Sequence, residues 1–507
     1  MKTKPIALLL CCLTLGVSAA AARSPAEPGA EKNAAATSRY YAQLVAGATP
    51  RLAELTLFVT ALPKGGDLHH HYSGAIYAEI YLDWVAQHNY CIYRTDDAQL
   101  KTRKYRIETK PSALPDAARA ICIGADAARL DNGFYRELLQ RWSDKDYDNH
   151  SHEQPAPDQQ FFDTFGYFGP VSDDEFRAGL QWLKHRARDE NVQYLETMLK
   201  SGPNVAIANL DASLDALNSA SGDAQLEQAL SAYFTALAKD AGAAATISNF
   251  VQMLEAAAAG LDDADFKLRF QAFVPRGNAP SRVFASMYSS FVAARSSQLI
   301  VGVNIVGPEN GIVAMRDYTL HMKMFRFLKQ HFPDVRLALH AGELVLGMVP
   351  PEGLQSHIRE AVEVAGASRI GHGIDIVYEN DAYALMDKMR QRKVAVEVNL
   401  SSNAFILGVK NEAHPLQAYR AHGVPFVIST DDAGVSRSSM SNEYLLFTSR
   451  YKPSYAELKT TVYNSILYSF MSDSDKQEQR KLLEQRFADF EAKMARSLSM
   501  QKTLGRR

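Results

Sequence analysis

The sequence predicts one large α/β unit, a (β/α)8 or TIM barrel, on three observations. Short apolar segments alternate with helical patterns eight times, no glycine-rich fingerprint follows the first segment as an open doubly wound sheet requires, and chemically capable polar residues collect just after the apolar segments. Alternation of this kind makes a parallel sheet, and polar residues at strand carboxy ends are where barrel sites sit. The composition agrees. Over 507 residues, 47% are hydrophobic, 22% charged and 10% aromatic, which excludes disordered, collagenous and small disulfide-scaffold classes. Lys and Arg total 55 against 57 Asp and Glu, for a net charge of -2, and no long basic run offers a footprint for nucleic acid. A small or neutral ligand is the expected partner.

The elements follow in order. Lys2 and Lys4, the apolar stretch Ile6 to Val17 and the small-residue run Ser18 to Ala22 read as a signal peptide over residues 1–22, cleaved near Ala20 or Ala22. A lipoprotein reading of Cys11-Cys12 is disfavoured because Leu10 stands where a small residue is usual. The apolar stretch is too short to span a bilayer and no later segment is long enough without charges, so no membrane span is expected and the protein is placed outside the cytoplasm, secreted or periplasmic. Residues 23–38, rich in Ala, Ser, Glu and Pro, read as a mobile segment before a first helix at about 39–61, which Pro63 ends. Asp67 to His71 is the first strand. An irregular insertion over about 85–170 comes next and holds an aromatic cluster, several prolines and the cysteines Cys91 and Cys122. In an oxidising compartment a bridge between those two, closing a loop of about 30 residues, is favoured over two free buried thiols.

Seven more strands are expected at Val192–Leu199, Lys267–Val274, Leu299–Val306, Val335–His340, Arg369–His372, Val394–Leu400 and Val424–Ser429. The Ala-rich stretch Ala206 to Gly260 is long enough for two or three extra helices after the second strand. Tyr318, Met322, Phe325 and Leu328 recur at three- and four-residue steps and mark an amphipathic helix over 317–331, and residues 454–500 read as closing helices.

His69, His71, Gly307, His340, Glu343, His372, Asp431 and Asp432 all fall at or just beyond strand carboxy ends. Residues two apart on a strand share a face, so His69 and His71 both point into the barrel mouth while His70 points away. A lone His-x-His is weak evidence for a metal. His340 and Glu343 leave one strand together, His372 sits between Gly371 and Gly373, and the adjacent carboxylates Asp431 and Asp432 need a cation or a proton to offset their repulsion. Three histidines and an aspartate suit Zn2+ with a position left for water. Asp432 and His372 are then placed to orient and deprotonate that water and Glu343 to act as an acid toward a substrate nitrogen, which is metal-assisted hydrolysis.

Pro63-Lys64-Gly65 leading to His69-x-His71, then Gly307-x-Glu309, His340-Ala341-Gly342-Glu343, Gly371-His372-Gly373 and Ser429-Thr430-Asp431-Asp432 occur in the order found in adenosine deaminases, and the chain resembles that family over about 39–500. It is most similar to the secreted, growth-factor-like branch, which also has a signal peptide and a cysteine-containing insertion after the first strand. The resemblance implies one zinc per chain held by His69, His71, His340 and Asp431, catalysis by Glu343, His372 and Asp432, and a purine contact from the Gly307 backbone. It implies that Glu343 protonates purine N1 while activated water adds at C6, so that adenosine, and 2'-deoxyadenosine with it, yields inosine or its deoxy form and ammonia. Where the family has an aspartate for the ribose, one or two places after the second histidine, this chain has Tyr72 and Ser73. Ser73 or an acid from the insertion is then left to read the sugar.

Trp142, Phe161, Phe162, Phe165, Tyr167 and Phe168 are expected either as an apolar lid over the nucleoside, with Trp142 and Phe165 as substrate contacts, or as satellite core. Glu309 and Glu397 are candidates for supporting roles at the site, with purely structural hydrogen bonding the favoured alternative, and His414-Pro415 reads as a turn after the seventh strand. Two other functions stay open: a zinc amidohydrolase of the same fold acting on another purine or amide, and a non-catalytic extracellular binding protein. Monomer and dimer are both compatible with the sequence.

Overall fold

The computed structural model describes residues 29–97, 102–147 and 155–504. The signal-peptide expectation lies outside the described residues. All eight expected barrel strands are present. The first is β1 (Gly65–His71), followed outside the barrel by an antiparallel hairpin of β2 (Cys91–Asp97) and β3 (Thr102–Glu108). The others are β4 (Val192–Met198), β5 (Lys267–Pro275), β6 (Ile300–Val306), β7 (Ala338–Ala341), β8 (Arg369–His372), β9 (Ala395–Val398) and β10 (Phe426–Ile428).

Two parallel four-stranded sheets, β1-β4-β5-β6 and β7-β8-β9-β10, make the two halves of the barrel. They meet at two seams, where Val303 pairs with Leu337 and His70 pairs with Asp431, both parallel. Every residue of β4 is buried, as expected of a strand with helices on one side and barrel interior on the other. Helix 312–331 buries Tyr318, Met322, Phe325 and Leu328, the face its periodicity predicts. Three helices, Ala208–Asp215, Asp223–Lys239 and Ala241–Ala258, fill the stretch after β4. No helix among the described residues is long and apolar enough to cross a membrane.

Three expectations need correction. Residues 30–38, read as part of a mobile segment, already belong to a helix, Ala30–Val45. Its alanines favour helix, and Thr37, Tyr41 and Leu44 form a buried stripe against the helix 473–504. The expected single helix at 39–61 is two, because the chain turns at Gly47 (φ +74°) and Pro50 before Leu52–Ala61 begins. The segment between β1 and β4, read as irregular, is largely regular: besides the hairpin it has helices Ala78–Gln87, Asn132–Arg141, Pro157–Ser172 and Phe176–Asp189. The favoured cysteine pairing is present, with Cys91 and Cys122 bonded and their Cα atoms 5.4 Å apart.

Candidate active site

The site grows out of the strand ends. Alternation along β1 turns His69 and His71 into the barrel mouth and sends His70 to Thr197 Oγ1 at 2.8 Å. β7 itself carries His340 near its carboxy end, and the residues after β10 bring Asp431. Their ligand atoms all lie within 4.8 Å of one another, a group that can hold a metal ion. His71 Nε2 stands 3.2 Å from both His340 Nε2 and Asp431 Oδ1, and His69 Nε2 is 3.4 Å from the same carboxylate oxygen. His69 Nε2 is buried with no hydrogen-bond partner among the described residues. Converging imidazole nitrogens beside a carboxylate are a donor set that a cation satisfies, so the residues fit the metal the sequence implies.

Buried polar groups aim these candidate ligands from behind. His69 Nδ1 meets Glu397 Oε2 at 2.6 Å, and Glu397 is in turn paired with Arg369. His340 Nδ1 meets Asn304 Oδ1 at 2.9 Å, which leaves Nε2 for the mouth. The two supports join beneath the site. Asn304 Nδ2 donates to Gln271 Oε1 (2.9 Å), Gln271 Nε2 donates to Glu196 Oε1 (3.0 Å), and Glu196 pairs with Arg369, whose guanidinium lies 3.8 Å from the Phe470 ring centroid. A continuous polar path thus runs through the barrel interior from His340 to His69. Gly371 leaves room for it: a Cβ there would stand 2.7 Å from the His69 ring.

A second group of Glu343, His372 and Asp431 shares the same space. His372 Nε2 is 3.7 Å from Glu343 Oε1 and 3.8 Å from Asp431 Oδ2. Both His372 (φ +66°) and Asp431 (φ +59°) hold left-handed backbone, a conformation that costs a non-glycine residue about 1–3 kcal/mol and clusters at functional sites. Burial pushes the Glu343 carboxyl well above the ordinary range, reinforced by Asp431 and Glu309, and burial with Asp431 does the same to Asp432. Burial pushes the His372 imidazole down to about 3, so it is neutral.

Glu309 anchors the Glu343 loop. Its two oxygens accept from the backbone N–H groups of Gly342 and Glu343, both at 3.0 Å, and His357 Nδ1 lies 2.5 Å away. Burial alone would raise its pKa, but the charge of Arg276 and the bonds from His357 and the Glu343 N–H outweigh burial and bring it down to about 2.

A cavity of about 370 Å³ opens over this cluster. Its floor is His71, His340, Glu343, His372, Asp431 and Asp432; Ser73, Gly307 (φ +101°) with its neighbours Val306 and Pro308, and Phe161, Phe162, Phe165 and Phe273 complete its lining. Of the aromatic cluster, three phenylalanines thus reach the cavity. Trp142 does not line it. Its indole is buried in the core with Nε1 donating to Tyr105 O at 3.2 Å. Phe168 stacks on Tyr81 at 4.6 Å, and Tyr167 is likewise core. Tyr72 turns away as well, its hydroxyl donating to Glu175 O at 2.8 Å, so of the two residues in the family's aspartate region only Ser73 faces the cavity.

The sequence reading missed Phe273, Asn304, Gln271, Glu196, Asn399 and Asn403. The available signal was a polar side chain inside an apolar strand, as at Glu196, Gln271 and Asn304. Phe273, an apolar residue in an apolar strand, gave none.

Residues 240–486 match the sequence model of the family described as adenosine deaminase. The adenosine deaminase of Shewanella denitrificans is 26% identical over 254 residues, covering 45% of this chain and 73% of the relative. The adenosine deaminases of Serratia proteamaculans and Clostridium perfringens are 35% and 29% identical over 147 and 178 residues, which is 29% and 35% of this chain and only 41% and 52% of theirs. In fold, the chain is similar to the Arabidopsis N6-mAMP deaminase (TM-score 0.53, 17% identity, 85% of this chain and 99% of that one). It is also similar to an amidohydrolase from Burkholderia ambifaria with bound Zn (TM-score 0.50, 18% identity, 87% and 94%). The family match begins far beyond β1. The fold itself brings His69 and His71 to the matched residues.

Proposed function

Because its carboxy-terminal half matches the adenosine deaminase family and the barrel brings two further histidines to that half, we propose that this chain is a zinc-dependent deaminase converting adenosine, and 2'-deoxyadenosine, to the inosine form and ammonia. The observation that carries the reading is the juxtaposition of His69, His71, His340 and Asp431 with Glu343, His372 and Asp432 on the floor of one cavity. The likeness to curated adenosine deaminases supports a hydrolytic deaminase over a protein that only binds. Zinc is favoured by the three-imidazole, one-carboxylate donor set and by the Zn of the Burkholderia relative. One ion per chain is held by those four ligands and, when bound, supplies Lewis acidity that makes water a nucleophile near neutral pH.

The chain's own residues do the rest. Phe161, Phe162, Phe165 and Phe273 sandwich the purine and exclude water, and the Gly307 backbone approaches the ring where a side chain would intrude. Glu343, carrying its proton, gives it to purine N1, which draws electron density from C6. With a cation offsetting its repulsion from Asp431, Asp432 is ionised and takes the proton of the incoming water while His372 steadies the oxygen that adds at C6; Asp432 returns that proton to the C6 amine, which leaves as ammonia, and the new C6 hydroxyl gives its proton back to Glu343. Ser73 contacts the sugar. The reading extends to the unit at about 39–500, to export by the segment 1–22, and to the growth-factor-like branch of the family, with 85–170 as its insertion.

A second reading, a deaminase of the same fold acting on a different purine or on an amide, is favoured by one observation: Ser73 stands in place of a sugar-binding carboxylate. The test is ultraviolet-monitored turnover of adenosine, 2'-deoxyadenosine and adenine by the zinc-loaded protein, with a chelated control. Adenosine turnover that chelation stops supports the first reading. Failure on every purine, with one zinc bound per chain, moves the second to the front.

A further inference from the structure

One hydrogen-bond chain behind the site has its direction fixed by a group with no choice. The backbone N–H of Leu416 donates to His414 Nδ1 at 3.1 Å. A main-chain amide cannot accept, so His414 Nδ1 is a lone pair. Burial pushes this imidazole down to about 3, so it is neutral and carries its one N–H at Nε2. That Nε2 lies 3.3 Å from Asn403 Oδ1 and donates to it. The amide is thereby turned with its Nδ2 toward His372 Nδ1, 2.9 Å away, and Asn399 Nδ2 approaches the same nitrogen at 3.4 Å. His372 Nδ1 accepts and Nε2 holds the hydrogen.

We propose that His414 and Asn403 are positioning residues that fix the tautomer of His372, so that an Nε2–H rather than a lone pair faces the space between Glu343 and Asp431. The inference deepens the proposed deaminase reading and rests on it for its catalytic meaning. In this tautomer His372 donates a hydrogen bond to the oxygen adding at C6 and does not take a proton from water. Proton acceptance falls to Asp432 alone. His414, which the sequence presents as part of a turn before Pro415, acts through Asn403 without touching substrate.

The test is nitrogen NMR of the zinc-loaded, 15N-histidine-labelled full chain, with His372 assigned by its disappearance in His372→Gln. A pyridine-type Nδ1 and a pyrrole-type Nε2 are expected. Asn403→Asp presents only acceptors to His372, so the two resonance types exchange and turnover falls at least about tenfold. His414→Gln keeps a side-chain N–H for Asn403 and retains the wild-type pattern, whereas His414→Leu gives a mixture of both tautomers. If Asn403→Asp fails to fold, the His414 pair decides. A pyridine-type Nε2 in the wild type overturns the proposal, as does a wild-type pattern in both Asn403→Asp and His414→Leu. The tautomer is read without turnover, so a protein with the expected pattern and no activity on any purine overturns the deaminase reading and leaves the relay standing.

Discussion

Among the described residues the Glu343 side chain has no hydrogen bond to lose, while its backbone N–H is held by Glu309. Glu343→Gln keeps shape and burial and removes the transferable proton. Turnover of adenosine is expected to fall by about 100-fold or more with Tm little changed, measured by the absorbance change and by thermal melts. Full activity in that variant removes Glu343 from the proton transfer. Glu309 makes the opposite prediction, one about stability. Its folded pKa is about 2 against an ordinary value of 4.5, so the folded state holds fewer protons than the unfolded one between those values. Its stabilisation is therefore complete above about pH 5 and is lost as pH falls toward 2. Glu309→Gln should be less stable than wild type at neutral pH, by a few kcal/mol at most, with the gap closing on acidification. A pH-independent gap in paired denaturation curves removes the charge of Glu309 from the explanation.

Between residues and the whole lies the crossover from β1 to β4. The Cys91–Cys122 bridge spans 31 residues and ties the start of β2 to the chain that leads into helix 132–141, and Ile92 pairs with Ile123 beside it. β3 packs on helix 157–172, the helix that supplies Phe161, Phe162 and Phe165 to the cavity. A loop of this length is stabilised by its cross-link by about 3–4 kcal/mol. Reduction, or Cys91→Ser with Cys122→Ser, is expected to lower Tm and to raise KM for adenosine more than it lowers kcat. A lower Tm with unchanged KM means that core contacts such as those of Trp142 and Phe168 hold the aromatic wall without the bridge.

Elements of this kind were only half legible in the sequence. The barrel strands announce themselves because burial on both faces demands an apolar run, and the candidate ligands stood out because imidazoles and carboxylates recur at strand ends, where the fold does bring them together. Helix 30–45 was hidden by an alanine-rich composition shared by helices and by loose leader segments. Trp142 looked like a binding residue because an aromatic cluster gives no sign of which rings face a cavity. Asn403 and His414 were opaque for a different reason. Their role lies in a relay closed only when the residues after β9 fold against β8.

At the scale of the whole molecule, the polar path from His340 through Asn304, Gln271, Glu196, Arg369 and Glu397 to His69 lies buried among both half-sheets. An ion that binds only the folded barrel stabilises it by mass action, about 4 kcal/mol at a thousandfold excess over Kd. Chelation is therefore expected to lower Tm by several degrees, with recovery on adding zinc. A Tm indifferent to chelation and zinc means that the ligand group holds no ion tightly.

The proposed ligands are shared evenly between the halves: His69 and His71 come from the first half-sheet, His340 from the second and Asp431 from the residues just beyond its last strand. His70 pairs with Asp431 at the very seam where the last strand meets the first. A chain still on the ribosome with everything through His372 emerged has all three imidazoles, yet it lacks the carboxylate and has an open ring. The complete four-residue set is thus assembled only after the two ends of the barrel have found each other, so the proposed ion would meet its full site only on a closed barrel.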